Sequence, residues 1–214
     1  MNKLAIWLPT YKRPHKLAEI AKNIEETTKH SFTLYFGLEP DDSASIEAAK
    51  KTGHKVVINK YEMGYSNTIQ SIYEVSKEPF WIHANDDFEF LPNWDEVPVA
   101  MFERKDLMVV GIKQTEEDTS FSAICMARKK YIDTMSGVID MPRRVFYPYH
   151  HNYIDTEFTQ TAQKRGVWAK CDQFIIKHLH PGLVGGDKDA TYLKNDATAG
   201  LAQNTFEIRK HLWA

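Results

Sequence analysis

The feature that most constrains this chain is the alternation of short apolar runs with amphipathic stretches across its first half. Lys3–Leu8 reads as a strand and ends in the segment Pro9-Thr10-Tyr11-Lys12-Arg13-Pro14. Pro14 suits the first turn of a helix, in which Leu17, Ile20, Ala21 and Ile24 share one face. Phe32–Leu38 carries apolar side chains at alternate positions and is a second strand. It runs into an acidic turn where Asp41, Asp42 and Ser43 are candidate caps for a helix that reaches about Thr52 and stops at Gly53. Lys55–Ile58 is a third strand. Gly64 then opens a helix with Ile69, Ile72 and Tyr73 facing inward, and Phe80 starts a fourth strand. Strands that alternate with helices at this spacing build a parallel sheet, so the fold class is α/β.

The second half is less regular. Leu107–Ile112 and Phe121–Ala127 read as strands, the latter a candidate for an antiparallel addition, and Arg128–Met135 as a short helix. Residues 136–153 form a long loop of Pro, Arg, His and aromatic residues without periodicity, the kind of segment that serves as a lid or binding loop. Ile154–Arg165 is a helix that Gly166 can terminate. Strands at Val167–Ala169 and Gln173–Lys177 follow, and the tail from Leu201 to Leu212 reads as a helix with Leu201, Thr205, Ile208 and Leu212 in register. No linker or internal repeat interrupts the chain, so 1–214 is expected to be one domain. Within it the regular half lies at about 1–92 and the less regular half at about 93–214.

Composition narrows the function classes. Lys plus Arg number 27 against 29 Asp plus Glu, which gives no general pull toward nucleic acid or a membrane surface. Cys125 and Cys171 are too few for a disulfide framework or a thiolate metal site and read as buried thiols of a reducing compartment. No apolar run approaches the ~20 residues of a membrane span, and the N-terminus has no signal-peptide pattern. The expectation is a cytoplasmic protein with no membrane partner.

Three segments bear on chemistry. In Phe80-Trp81-Ile82-His83-Ala84-Asn85-Asp86-Asp87, an aromatic, β-prone run delivers two adjacent carboxylates at the end of a strand, where α/β folds handle ligands. Hard oxygen ligands there suit Mg2+ or Mn2+ bound together with substrate phosphates, although an acidic pair after a strand also serves as a solvated turn. His178-Leu179-His180-Pro181 follows the apolar run Phe174-Ile175-Ile176, so either histidine can complete a metal site or simply hydrogen-bond at a strand end. His83 reads as a core or strand-edge histidine rather than a ligand. Asn152-Tyr153-Ile154-Asp155-Thr156-Glu157 opens a helix, where Asp155 gains from the dipole as a cap or serves as a base; Glu157 points to another face.

In their order along residues 4–181 these segments resemble the GT-A-fold, nucleotide-diphosphosugar-dependent glycosyltransferases, in particular their family-2-like inverting group. Leu8-Pro9-Thr10-Tyr11-Lys12-Arg13 resembles that group's first strand and nucleotide loop. Asn85-Asp86-Asp87 with Leu91-Pro92 is similar to its Asp-x-Asp-type metal segment. Tyr153-Ile154-Asp155-Thr156-Glu157 is similar to its base-bearing motif, and His178-Leu179-His180-Pro181 to its metal-ligand histidine segment.

The resemblance implies a GT-A-type α/β/α sandwich that uses Mn2+ or Mg2+. Pro9, Thr10, Tyr11 and Arg13 would line the nucleotide pocket, Glu39 would contact the base, and Asn67 would lie near the ribose or diphosphate. Asp86 would sit by the ribose and metal, Asp87 would be the direct ligand, and His180, ahead of His178, the second. Asp155 would be the general base with Glu157 in reserve. Two departures stand out. Leu38-Glu39-Pro40-Asp41-Asp42 replaces the usual Asp-Gly-Ser, which leaves the uridine assignment open between Glu39 and Asp41, and Ile154 stands where a Glu is frequent.

On this reading the donor is a nucleotide sugar, UDP-linked by preference, and the reaction is one in-line displacement with inversion. Arg143 or Arg144 would add positive charge from the loop or be plain surface charges; Tyr147, Tyr149 and Tyr153 would form an acceptor platform or pack inside. The acceptor is a carbohydrate or another soluble hydroxyl compound, with modified DNA as the minor option, because small enzymes of this group also occur in bacteriophages. A nucleotidyltransferase of related fold would carry a Gly-rich phosphate loop after the first strand, and residues 9–14 contain no Gly. A non-catalytic sugar-nucleotide-binding module is the third possibility.

Overall fold

A computed structural model describes residues 3–113, 123–150, 152–181, 185 and 190–213. Nine strands are described: β1 (Leu4–Thr10), β2 (Phe32–Leu38), β3 (Lys55–Ile58), β4 (Phe80–His83), β5 (Phe88–Phe90), β6 (Val109–Ile112), β7 (Ile124–Arg128), β8 (Trp168–Cys171) and β9 (Ile176–His178). The helices are α1 (Leu17–Thr27), α2 (Ser43–Lys51), α3 (Tyr65–Val75), α4 (Glu96–Met101), α5 (Lys129–Met135), α6 (Ile154–Lys164) and α7 (Ala190–Arg209). Short 3-10 turns stand at Pro14–Lys16 and Lys210–Leu212.

Seven strands form the central sheet in the order β3-β2-β1-β4-β7-β6-β8, and β5 pairs with β9 in a separate two-stranded sheet. β1 pairs parallel with both β2 and β4, and β6 parallel with β8, whereas β7 runs antiparallel to β4 and β6. The mostly parallel sheet with an antiparallel addition, expected from the alternation of elements, is the observed architecture. The chain lays β2 and β3 on one side of β1 and returns to place β4 on the other. The strand order therefore switches between β1 and β4, and a crevice opens outside their carboxyl ends.

Alternation along β1 divides the interior into two cores. Leu4, Ile6 and Leu8 pack on α1, through Leu17, Ile20 and Ile24, and on Ala49 of α2. Ala5 and Trp7 face the opposite layer, with Ile69 and Ile72 of α3, Tyr131 and Ile132 of α5 and Phe158 of α6. Helix α3 lies so close to β2 that a Cβ on Gly37 would meet Thr68 Cγ2 at 2.5 Å and Ile72 Cδ1 at 2.7 Å. Both cysteines are buried free thiols. Among the described residues, no helix is long and apolar enough to cross a membrane.

Several sequence expectations need correction. The strand expected over Gln173–Lys177 is Ile176–His178 and belongs to the small sheet, where β5, not anticipated at all, is its partner. Residues 121 and 122 of the expected strand Phe121–Ala127 lie outside the described residues. The tail helix begins at Ala190, and its Leu201 and Ile208 face solvent, 54% and 73% exposed. It docks instead through Ala202, Phe206 stacked on Tyr153 at 4.5 Å, and the buried Arg209. The aromatic and charged partners in the 136–153 loop and α6 thus outweigh the leucine stripe.

Candidate active site

A cleft of about 460 Å3 lies outside the carboxyl ends of β1 and β4. Its volume suits a small-molecule ligand. Pro9 and Thr10 line it from β1, Tyr11 and Arg13 from the turn that follows, Glu39 from just after β2, Asn67 from α3, Asp86 and Asp87 from the turn after β4, His178 from the end of β9 and His180 from just beyond it. Asp155 and Glu157 are not on its wall, and neither are His83, Asp41, Arg143, Arg144, Tyr147 and Tyr153.

The β1 and β4 turns are tied together through Asp86. Thr10 Oγ1 donates to Asp86 Oδ2 at 2.6 Å, and Arg13 Nη1 donates to Oδ1 at 2.6 Å. Arg13 is only 7% exposed, so this is a buried, charge-assisted pair that holds the nucleotide-loop segment against the acidic turn. The Arg13 guanidinium also lies 4.5 Å from the centre of the Tyr192 ring. Tyr11 donates to Asp41 Oδ2 at 3.1 Å, and Asp42 receives the Lys12 backbone N–H while capping α2 through Ser45 N.

The small sheet does the equivalent work for the histidines. Phe88 pairs with His178, and Leu179 N donates to the Asp87 carbonyl at 2.8 Å, which sets the two segments in register across ninety residues of chain. His178 Nε2 consequently lies 3.3 Å from Asp87 Oδ2, which also accepts from the Tyr192 hydroxyl at 2.7 Å. It is His178, not His180, that touches Asp87; the His180 ring stands against Tyr192 at 4.8 Å. Burial pushes the Asp87 pKa up, but hydrogen bonds from His178 and Tyr192 and the Arg13 charge outweigh it, holding the carboxyl down at about 2.

Asp87 and His178 fit a divalent cation. Asp87 Oδ1 is buried and, among the described residues, has no hydrogen-bond partner, an arrangement that is costly for a carboxylate unless a cation or water meets it. No group of three or more His, Cys, Asp or Glu among the described residues is gathered to enclose a metal alone. Carboxylate with imidazole suits Mn2+ or Mg2+, ions that keep waters and substrate phosphates among their ligands and need few from the protein.

Other candidate residues have structural work as well. Glu39 accepts from Asn59 Nδ2, from Gly64 N at 3.1 Å and from Thr68 Oγ1 at 2.9 Å, so it anchors the turn into α3 beneath the cleft. Asn67 donates to the Glu62 carbonyl at 2.9 Å and accepts from Arg144, which ties the 136–153 loop to the rim. Arg143 is exposed. Tyr147 packs under Arg209, at 3.6 Å from the ring centre, and Tyr149 donates to Glu157 at 2.7 Å; packing explains both, although Tyr149 also borders the cleft.

The two carboxylates of α6 differ sharply. Glu157 is 1% exposed, bridged by Arg209 Nη2 at 2.8 Å and Nε at 3.0 Å. Its carboxylate is taken up by Arg209 and by the Tyr149 hydroxyl and so fastens α7 and the 136–153 loop to α6. Asp155 is set back in the first turn of α6, within electrostatic reach of Tyr65, Cys125 and His178. Burial pushes its pKa up to about 6, against the opposing effect of hydrogen bonds from the Thr156 and Asp155 backbone.

Tyr65 and Tyr192, which line the cleft, escaped the sequence reading, and His83, read from the sequence as a core or strand-edge histidine, hydrogen-bonds Tyr65. Tyr65 follows Gly64 at the start of a helix that points into the crevice, which is a signal the sequence does carry; Tyr192 lies in a stretch with none.

No protein-family model matches this sequence, and no curated protein does. Solved structures do match its fold. Glucosyl-3-phosphoglycerate synthase from Mycobacterium tuberculosis, in complex with Mn2+, UDP and glucosyl-3-phosphoglycerate, superposes with a TM-score of 0.66 at 9% identity over 92% of this chain and 77% of that one. The same enzyme with Mn2+, UDP-glucose and glycerol 3-phosphate gives 0.66 at 9% identity over 92% and 78%. A further mycobacterial protein gives 0.64 at 12% identity over 90% and 70%. The architecture of this chain is the GT-A-type fold that nucleotide-sugar glycosyltransferases use.

Proposed function

We propose that this chain is a metal-dependent glycosyltransferase that moves a sugar from a nucleoside-diphosphate donor, UDP-linked by preference, to an acceptor hydroxyl with inversion. The observation that carries the reading is Asp87: a buried, ionised carboxylate with one oxygen unpartnered, beside His178, in the cleft at the β1–β4 switch point. The mycobacterial enzymes of the same fold bind Mn2+ or Mg2+ with UDP, which supports the same ligand class here.

Asp87 and His178 would hold the cation, which when bound offsets the charge that gathers on the departing diphosphate. Asp86, clamped by Thr10 and Arg13, keeps the nucleotide loop and the acidic turn in one fixed relation before substrate arrives. Asp155 takes the acceptor's proton, directly or through one water. A carboxylate raised to about 6 is largely ionised at neutral pH yet basic enough to accept a proton in the transition state. The new bond joins the acceptor oxygen to the anomeric carbon as the carbon–phosphate oxygen bond breaks on the opposite face, so the anomeric configuration inverts.

The test is a donor screen with Mn2+ that follows nucleotide release and, by NMR, the anomeric configuration of the product. Turnover of a UDP-sugar that Asp87→Ala abolishes supports the reading. Binding without turnover for every donor and acceptor, or a product of retained configuration, rejects it.

A further inference from the structure

His83 ends β4, just beyond the last β4–β7 pair, Ile82 with Met126. There its ring takes over the ladder: the backbone N–H of Cys125 donates to His83 Nε2 at 3.2 Å. A backbone N–H is only ever a donor, so Nε2 is the unprotonated nitrogen. Burial keeps this imidazole neutral, with its pKa pushed down to about 4, and its one proton therefore sits on Nδ1. Nδ1 is 2.9 Å from the Tyr65 hydroxyl, so that contact is a donation from His83 to the phenol oxygen. The ring has little freedom to do otherwise, since Phe146 meets it edge-on at 5.2 Å.

The consequence falls on Tyr65. Its oxygen already accepts, its own proton is not used in that bond, and among the described residues nothing takes that proton. Tyr65 is one of the residues that line the cleft. It also stays protonated, because burial and the charges of Asp155, Asp87 and Asp86 all raise its pKa far above the ordinary phenol value. Tyr65 is thus a fixed hydrogen-bond donor held in readiness for a ligand. It lies within reach of both Asp155 and the Asp86–Asp87 pair. If Asp155 is the base and Asp87 anchors the diphosphate, what lies between them is the sugar being transferred.

We infer that Tyr65 is a sugar-recognition residue, donating its hydroxyl proton to an oxygen of the transferred sugar, and that His83 fixes it in that role. This rests on the glycosyltransferase reading above for the identity of the ligand, though not for the direction of the hydrogen bonds.

Two measurements test it. The first is kcat/KM for the parent nucleotide sugar and its series of monodeoxy analogues, with wild type and Tyr65→Phe. The expected result is a loss of about tenfold or more for Tyr65→Phe with the parent sugar. One deoxy analogue should cost wild type a similar factor and cost Tyr65→Phe nothing further, while the other analogues give additive losses. Deoxy analogues remove the partner oxygen without touching the protein, so the result does not depend on how the variant folds. Equal losses for Tyr65→Phe against every analogue, or no loss, overturn the inference. The second is the 15N spectrum of labelled histidine in the unliganded protein. His83 should show a protonated Nδ1 and a bare Nε2; the opposite tautomer overturns the inference, because Tyr65 would then spend its proton on His83. A wild type that turns over no nucleotide sugar while showing the Nδ1–H tautomer rejects the function reading and the sugar assignment, but leaves Tyr65 a locked donor.

Discussion

On the proposed mechanism Asp155 couples activity and stability through one proton. Its folded pKa of about 6 lies above the 3.8 of an ordinary aspartate, so between those values the folded chain holds the proton more tightly than the unfolded one. This group's contribution is therefore greatest below about pH 4 and is lost as pH rises through 6. Asp155→Asn keeps the acceptor for the Thr156 N–H, at 2.8 Å, but cannot ionise. It should be more stable than wild type above pH 6, by on the order of 2 kcal/mol after allowance for partial exposure, with the gap closing toward pH 4. The same substitution should cut kcat by about 10²–10⁴-fold, and wild-type kcat should fall on an acid limb near pH 6. Thermal melts across pH and a kcat–pH profile measure both; a variant that keeps most of its activity removes Asp155 from the reaction. At this scale the sequence shows which residue types are present, and Asp86, Asp87, Asp155 and the two histidines are legible as chemistry by their order. It does not show direction. That His178 rather than His180 meets Asp87 follows from the β5–β9 register, and that Tyr65 receives from His83 and keeps its own proton follows from a backbone N–H sixty residues away in sequence.

Elements position these residues, and two contacts carry much of that work. The close approach of α3 to β2 leaves no room for a Cβ at Gly37, where Thr68 and Ile72 stand within 3 Å of its place. Gly37→Ala should destabilise the chain by roughly 1–3 kcal/mol, read as a lower urea midpoint, because α3 must shift to admit the methyl. At the other end, α7 is fastened by Arg209, whose guanidinium bridges the buried Glu157 and pairs with both oxygens of Asp140. Arg209→Ala leaves Glu157 buried at 1% exposure with no countercharge, only the Tyr149 hydroxyl, and should cost about 3–5 kcal/mol. Adding Glu157→Gln should recover part of that loss, since the stranded charge is gone; a double variant no better than the single one would mean that cation–π packing on Tyr147, not the ion pair, dominates. Legibility at this scale tracked periodicity. β1 to β4 and α1 to α3 alternate cleanly and were found to within a residue or two. In α7 the leucine stripe pointed to the wrong face, because the docking groups are Phe206 and Arg209, whose partners no helical period reveals.

For the whole molecule, the parallel α/β plan was written in the spacing of strands and helices, while the strand order was not. It is that order, with β1 beside β4 and a small sheet folded over from β9, that assembles one cleft from residues between Pro9 and Thr198. A ligand filling such a cleft bridges both halves of the chain and so stabilises the fold as a whole. At a concentration of UDP about a hundredfold above its Kd, in the presence of Mn2+, mass action adds roughly 2.7 kcal/mol to the folded state. For a chain of this length that corresponds to a rise in Tm of roughly 5–11 °C. The two ligands should act together: Asp87 Oδ1 needs the cation to be satisfied, and the cation needs the diphosphate to complete its ligands, so UDP or Mn2+ alone should give much the smaller shift. Asp87→Ala should lose the cooperative rise altogether, and because the folded chain holds this carboxyl below its ordinary value it should also lose some unliganded stability at neutral pH. Differential scanning fluorimetry with each ligand alone and with both decides the matter. Purely additive shifts, or an undiminished joint shift in Asp87→Ala, would place the nucleotide and the cation apart and dissolve the site at its centre.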